Sequence, residues 1–336
     1  MTLRIVTGGL QTTVQDLGRV GFQRKGVPVG GAMDRVALRL ANILVGNDDN
    51  AACLEAALIG PSLRIERDSV IALTGGDLEA TLDGDAVPLW RPLWVRAGGT
   101  LRFGQPRVGC RAYLAIAGGI DVPTVFGSRS TYLRASFGGC DGRALKAGDL
   151  LFARGLTPLA QRITNSLRAP DRRVSPARWS VSVGVRPSYA DDAVVRVVEG
   201  AHTRAMTDAA YQALTTATFR VSSTSDRMGY RLEGQELTLR EPLELLSEGT
   251  TFGTVQLPPG GAPIVLMADA QTTGGYPRIG EVSSVDLPLI AQLKPGDRLR
   301  FQLVSIDEAQ SLYLAHEHDI TQARLGIALG LPRGSA

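Results

Sequence analysis

Glycine interrupts this chain too often for long regular elements: 39 of its 336 residues are glycine, well above the usual share of about 7%. Between the glycines lie short apolar segments, among them residues 70–73, 78–82, 93–95, 101–103 and 113–117, bounded by Gly, Asp and Pro clusters. That spacing belongs to a barrel or a sandwich. Helical periodicity is confined to a few places. Asp34 can cap a helix in which Val36, Leu40, Ile43 and Leu44 form an apolar stripe, and Gly46 can close it in the left-handed conformation. Residues 203–214 carry Met206, Ala210, Ala213 and Leu214 on one side, and residues 307–316 and 320–329 read as two closing helices. The expectation is a mainly β protein with a few short helices.

A chain of this length suggests two domains, and 44% hydrophobic with 21% charged residues marks it as globular. Residues 157–179 lose periodicity and fill with Arg, Pro, Ser and Asn, as a linker would. The expected domains are therefore 1–170 and 180–336. The second half repeats the first. Arg19-Val-Gly-Phe22 with Gly26 matches Arg227-Met-Gly-Tyr230 with Gly234, and Ala97-Gly-Gly-Thr-Leu-Arg-Phe103 matches Pro295-Gly-Asp-Arg-Leu-Arg-Phe301. Two copies of one β domain is the economical reading. On that alignment residues 264–271 are the counterpart of residues 70–77, and only the second copy carries a Gln-Thr-Thr elaboration.

Several function classes fall away. The net charge is +3 with no basic runs, which excludes the electrostatic footprint of a nucleic-acid binder. Cys53, Cys110 and Cys140 are widely separated and make neither a disulfide framework nor a zinc site. No leader-like apolar region and no run of roughly 18 apolar residues occurs, so a cytoplasmic protein off the membrane is expected. There is no G-x-S-x-G, no H-E-x-x-H, no Walker A sequence, no placed G-x-G-x-x-G and no lysine segment for covalent biotin. His316 and His318 are two apart in a helical segment and cannot chelate together, so no metal site is expected.

What remains is carboxylate, guanidinium, hydroxyl and amide chemistry on loops. The densest stretch is Met267-Ala-Asp-Ala-Gln-Thr-Thr-Gly-Gly-Tyr-Pro-Arg-Ile279, delivered by the apolar run Ile264-Val-Leu-Met267. Asp269, Gln271, Thr272 and Thr273 offer donors and acceptors, Gly274-Gly275 lets backbone approach a bound group, and Arg278 adds a permanent cation. Asp16, Asp34, Asp226 and Asp269 sit in Gly-rich motifs with Arg19, Arg129, Arg227 and Arg278 for company. Such a set suits a small anion or amide: Arg holds a carboxylate in a fork, Gln and Thr bind the amide, and an Asp takes a proton. For any one of these Asp residues, turn-capping is the commoner role.

Gln15-Asp-Leu-Gly-Arg19, Gly31-Ala-Met-Asp34, Leu44-Val-Gly-Asn47, Gly127-Ser-Arg-Ser-Thr131, Ser225-Asp-Arg-Met-Gly-Tyr-Arg231, Ser247-Glu-Gly249 and Gln271-Thr-Thr-Gly-Gly-Tyr-Pro277 resemble the allophanate hydrolase subunit 2 family, also described as biotin-dependent carboxyltransferases. The likeness runs from about Leu10 to Phe301. It implies two cyclophilin-like β-barrel domains related by duplication, and a composite site shared with a subunit 1 or Kip-inhibitor-like partner. Three activities are implied within the family. One is a 5-oxoprolinase complex that opens 5-oxoproline to glutamate with ATP and includes a third subunit. Another is carboxyl transfer from carboxybiotin to urea or a related amide, and the last is non-enzymatic antagonism of a Kip-like kinase inhibitor. The 5-oxoprolinase reading is preferred for a stand-alone chain of this length. ATP would then be used by the complex without a nucleotide motif here, biotin would come only through a partner, and the isolated chain would be inactive.

On that reading Gln271, Thr272, Thr273, Tyr276, Arg278 and Arg227 bind the lactam or its carboxylate, and Asp269 or Asp226 handles the proton. Asp34, Arg19 and Arg129 are secondary candidates. Two positions depart from the family pattern: Arg278 stands where Lys is expected, and Gly30 where Ser is common. Arg in place of Lys removes a base and leaves a fixed anion clamp.

Overall fold

The computed structural model describes residues 2–331. Its contacts gather into two units that are not consecutive halves of the chain: residues 2–18, 34–187 and 318–331 form the first, and residues 19–33 and 188–317 the second.

In the first unit, one six-stranded sheet runs in the order Leu150–Leu151, Leu3–Thr7, Ser62–Ile65, Thr100–Arg102, Thr81–Leu82, Asp85–Ala86. The other runs Val174–Pro176, Pro92–Val95, Ser69–Asp77, Val108–Ile116, Cys53–Ala57, Gln11–Gln15. Leu3, Ile5, Leu63, Ile71, Leu73 and Leu114 fill the core of this unit. The strand Ser69–Asp77 is buried along nearly its whole length, because helix α1 (Arg35–Leu44) packs on the second sheet. Asp34 caps α1 by accepting the Ala37 amide at 2.8 Å, and Gly46 follows it at φ +77°. A side chain at Gly46 would meet the Ala160 amide at 2.6 Å, so only glycine fits there.

Residues 157–179, expected as a linker, instead hold helix α2 (Pro158–Leu167) and the strand Val174–Pro176, which pairs with Pro92–Val95. Thr157 caps α2 and Pro158 opens it. Only Ala160 and Ile163 turn inward, a stripe too narrow to register as periodicity. The three cysteines are free thiols, and burial pushes the Cys53 thiol well above its ordinary pKa.

The second unit is a closed seven-stranded barrel in the order Asp192–Glu199, Arg278–Val282, Thr254–Gln256, Ile264–Leu266, Gly229–Glu233, Phe219–Val221, Arg298–Leu303. The first and last of these pair in parallel and so close the ring. Val195, Val197, Val255, Val265, Ile279 and Leu299 fill it, and Phe219 and Phe301 meet with centroids 5.8 Å apart. Helix α3 (Asp208–Thr216) turns Ala210, Ala213 and Leu214 inward, and α4 (Leu287–Ala291) is a short plug. The single helix expected over residues 203–214 is a 3₁₀ turn at Thr203–Ala205 followed by α3, because Thr207 takes the cap position and accepts the Ala210 amide. The two closing helices are one, α5 (Ile306–Gly330), since neither Pro nor Gly interrupts residues 317–319; its one buried residue is Ile320.

The mainly β class read from the sequence is the class observed. The register of the internal repeat is not kept. Ser69–Asp77 pairs with Pro92–Val95 and Val108–Ile116, both later in the chain, whereas Ile264–Leu266 pairs with Gly229–Glu233 and Thr254–Gln256, both earlier. Similar glycine turns had aligned strands of different place.

Candidate functional site

The stretch after Ile264–Leu266 leaves the barrel, and its residues Thr273–Gly274 form a two-stranded ribbon with Glu248–Gly249. Thr250 locks the ribbon base: its amide donates to the Thr272 carbonyl at 3.0 Å and its hydroxyl to the Gln271 carbonyl at 2.7 Å. The backbone of this loop is therefore fixed while its side chains are not. Gln271 and Thr273 are exposed, Thr272 is half-buried, and none of the three side chains makes a hydrogen bond among the described residues.

Beneath the ribbon lies a polar layer on the outer face of the barrel. Val255 and Ile279 point into the core, which turns Thr254, Gln256 and Arg278 outward; Gln256 pairs with Arg278 and Thr254 with Glu281 in the strand register. Gln256 is only 1% exposed, and its Nε2 has no hydrogen-bond partner. A Cβ on Gly274 would lie 2.5 Å from that nitrogen, so the glycine is what lets the ribbon pass over the amide. The Arg278 guanidinium donates from Nη2 to Glu248 across the ribbon, but its buried Nε also has no partner. The Arg278 amide donates to His202 Nδ1 at 3.2 Å, and the His202 amide returns to the Arg278 carbonyl at 2.9 Å. Glu281 accepts the Thr254 hydroxyl at 2.9 Å, and burial pushes its carboxyl above the ordinary range while Thr254 and Arg278 pull it back.

Two buried donors without a protein partner thus lie under a glycine ribbon, on strands that also carry a carboxyl group of raised pKa, a set whose chemistry suits a carbonyl or carboxylate oxygen and a proton. Gly275 and Tyr276, just beyond the ribbon, help line a cleft of about 990 Å³ with Leu237, Leu239, Leu243 and Leu257. Tyr276, 45% exposed, stands on its rim.

The other predicted residues have different employment. Asp269, 5% exposed, is held by Arg227 through Nε at 2.8 Å and Nη2 at 3.0 Å, and Arg227 also donates to the Gly31 carbonyl at 2.6 Å. Each carboxylate oxygen thus accepts one bond from Arg227, and the pair ties the barrel to the 19–33 segment. Arg19 is 1% exposed in the same anchor. Gly30 sits there at φ +63°, where a side chain would come within 3.0 Å of Arg19 Nη1, which accounts for glycine at this position. Asp226 is a turn cap, accepting the amides of Met228 at 2.8 Å and Gly229 at 3.2 Å.

Asp34 and Arg129 belong to the first unit. Asp34 is the α1 cap described above, and its own amide donates to the Tyr113 hydroxyl at 2.8 Å. Arg129 lies in a loop clamped by Asp16. Among the described residues no group of three or more His, Cys, Asp or Glu is placed to hold a metal, and no helix is long and apolar enough to cross a membrane.

Sequence reading missed Gln256 and Glu281. The signal was faint: Thr254-Val-Gln256 alternates polar and apolar as any half-exposed strand does, and only the ribbon above it makes its polar face a buried one.

The carboxyltransferase domain, subdomain A and B, family matches residues 25–303. The chain is 43% identical to the 5-oxoprolinase C subunit of Escherichia coli over 91% of its own length and 93% of that protein's. It is 38% identical to the 5-oxoprolinase C subunit of Haemophilus influenzae over 94% of this chain and 95% of that one. The crystal structure of the K. lactis urea amidolyase superposes with a TM-score of 0.85 at 32% identity, covering 96% of this chain but 20% of that one.

Proposed function

Because the chain belongs to the carboxyltransferase domain A and B family, we propose that it is the C subunit of a 5-oxoprolinase, a cytoplasmic complex that opens the lactam of 5-oxoproline to glutamate with ATP. The observation that carries this reading is the end-to-end likeness to 5-oxoprolinase C subunits, against a match to only a fifth of the urea amidolyase. The polar layer under the ribbon supports it. The lactam oxygen accepts from Gln256 Nε2 and Arg278 Nε, the two donors left unfilled. Glu281, rather than Asp269 or Asp226, carries the proton at the lactam nitrogen, and Tyr276 covers the ring's apolar face at the cleft rim. Gln271, Thr272 and Thr273 serve as the outer lip of the same pocket. ATP is bound by the other subunits, so the isolated chain turns nothing over.

Reconstituted complex carrying Gln256→Ala tests this. Loss of one donor to a developing oxyanion lowers turnover by roughly 10–1000-fold; unchanged 5-oxoproline-dependent ATP hydrolysis removes the pocket from the reaction. The K. lactis likeness favours one second reading, carboxyl transfer to urea from biotin carried on a partner. Urea-dependent turnover in the presence of a biotinylated carrier, with none on 5-oxoproline, selects that reading instead.

A further inference from the structure

Arg129 is held at both ends of its peptide and nowhere along its side chain. Asp16, 1% exposed, gathers the Ser128 hydroxyl at 2.6 Å, the Ser130 hydroxyl at 2.5 Å, the Arg129 amide at 2.6 Å and the Gly18 amide at 2.8 Å. The Gly139 amide donates to the Arg129 carbonyl at 3.1 Å. Gly139 lies so close to Thr131 that a Cβ there would fall 1.9 Å from the Thr131 hydroxyl, so a second loop closes tightly on the first. Yet the half-buried guanidinium is idle: its buried Nε has no partner, and it makes no ion pair among the described residues. A guanidinium without an ion pair can still take an anion, and a backbone pinned this firmly around it is preorganised for one.

We propose that Arg129 is an oxyanion fork that takes a monoanionic carboxylate. A planar guanidinium matches a carboxylate with two parallel hydrogen bonds. The Ser128 and Ser130 hydroxyls donate to Asp16 and are not available for the further oxygens of a phosphate. The Asp16 carboxylate, bonded to the Arg129 amide itself, opposes a dianion in the same place. The carboxylate has two sources, a small-molecule substrate or an acidic side chain of an assembling subunit. The first would be a carboxylate site of the first unit in its own right, independent of the lactam pocket proposed above in the second.

The test compares the full chain with Arg129→Gln and Arg129→Lys. Binding of sodium 5-oxoproline, sodium butyrate and the neutral lactam 2-pyrrolidinone is read by thermal stabilisation, and assembly with the remaining subunits by its dissociation constant. A substrate source predicts that Arg129→Gln weakens 5-oxoproline and butyrate by roughly 10–100-fold and leaves 2-pyrrolidinone alone, with Lys recovering part. A partner source predicts that only assembly weakens, by a similar factor. No change in either overturns the proposal, as does a loss of unliganded melting temperature in Arg129→Gln equal to that in Asp16→Asn, which marks a structural side chain. Butyrate has no lactam, so failure of the 5-oxoprolinase reading leaves the butyrate result standing, and the two fail separately.

Discussion

Arg227 and Arg278 are both arginines of the barrel unit, but one is saturated and the other is not. Arg227 spends its guanidinium on Asp269 and a carbonyl deep in the protein. Breaking a buried pair strands the other charge, so Asp269→Asn destabilises by roughly 3–5 kcal/mol, read as a lower denaturant midpoint at unchanged slope; a loss under about 1 kcal/mol would show the pair to be ornamental. Arg278 keeps Nε open, as Gln256 keeps Nε2. Glu281, paired with Thr254 further along the same strands, gives a pH signature. Its folded carboxyl titrates above the ordinary range, so in the window between the ordinary and the raised value the folded chain holds more protons than the unfolded chain. Stability therefore falls as pH rises through that window. In melts scanned across weakly acidic pH, Glu281→Gln shows less of this fall than the wild type, and identical profiles refute the assignment. The sequence pointed to the loop at residues 267–279 but not to the residues beneath it. Apolar spacing identifies what faces a core, whereas Gln256 is buried by a ribbon that meets it only in three dimensions.

Among the elements, α1 was legible because every signal agreed: a capping Asp34, a stripe of Val36, Leu40, Ile43 and Leu44, and a closing Gly46. Asp34→Ala removes the bond to the Ala37 amide and costs about 1 kcal/mol, within a range of roughly 0.5–2; amide exchange at the first turn of α1 should speed up accordingly. Helix α2 was illegible because two inward residues make no period. Strand pairing was less legible still. The repeat of glycine turns was real in sequence, but which strand lies beside which depends on connections that local patterns do not encode.

At the scale of the whole chain, the units interleave. The last part of α5 serves the first unit, where Arg324 reaches Asp49 and Arg162 donates to the carbonyls of Ala328 at 3.1 Å and Leu331 at 2.9 Å. Truncation after Glu317 therefore lowers the melting temperature, though it leaves every strand in place; an unchanged melt would show that the α5 end is passive. No linear cut was going to find this arrangement, since residues 19–33 also belong with partners some two hundred positions downstream.

The buried amide of Gln256, without a protein partner, bears on how the folded chain answers a ligand. A buried donor without an acceptor weighs against the folded state, and whatever supplies that acceptor tips the balance back by mass action. On the function proposed above, a bound lactam oxygen supplies that acceptor and raises the melting temperature, a shift that Gln256→Ala shrinks.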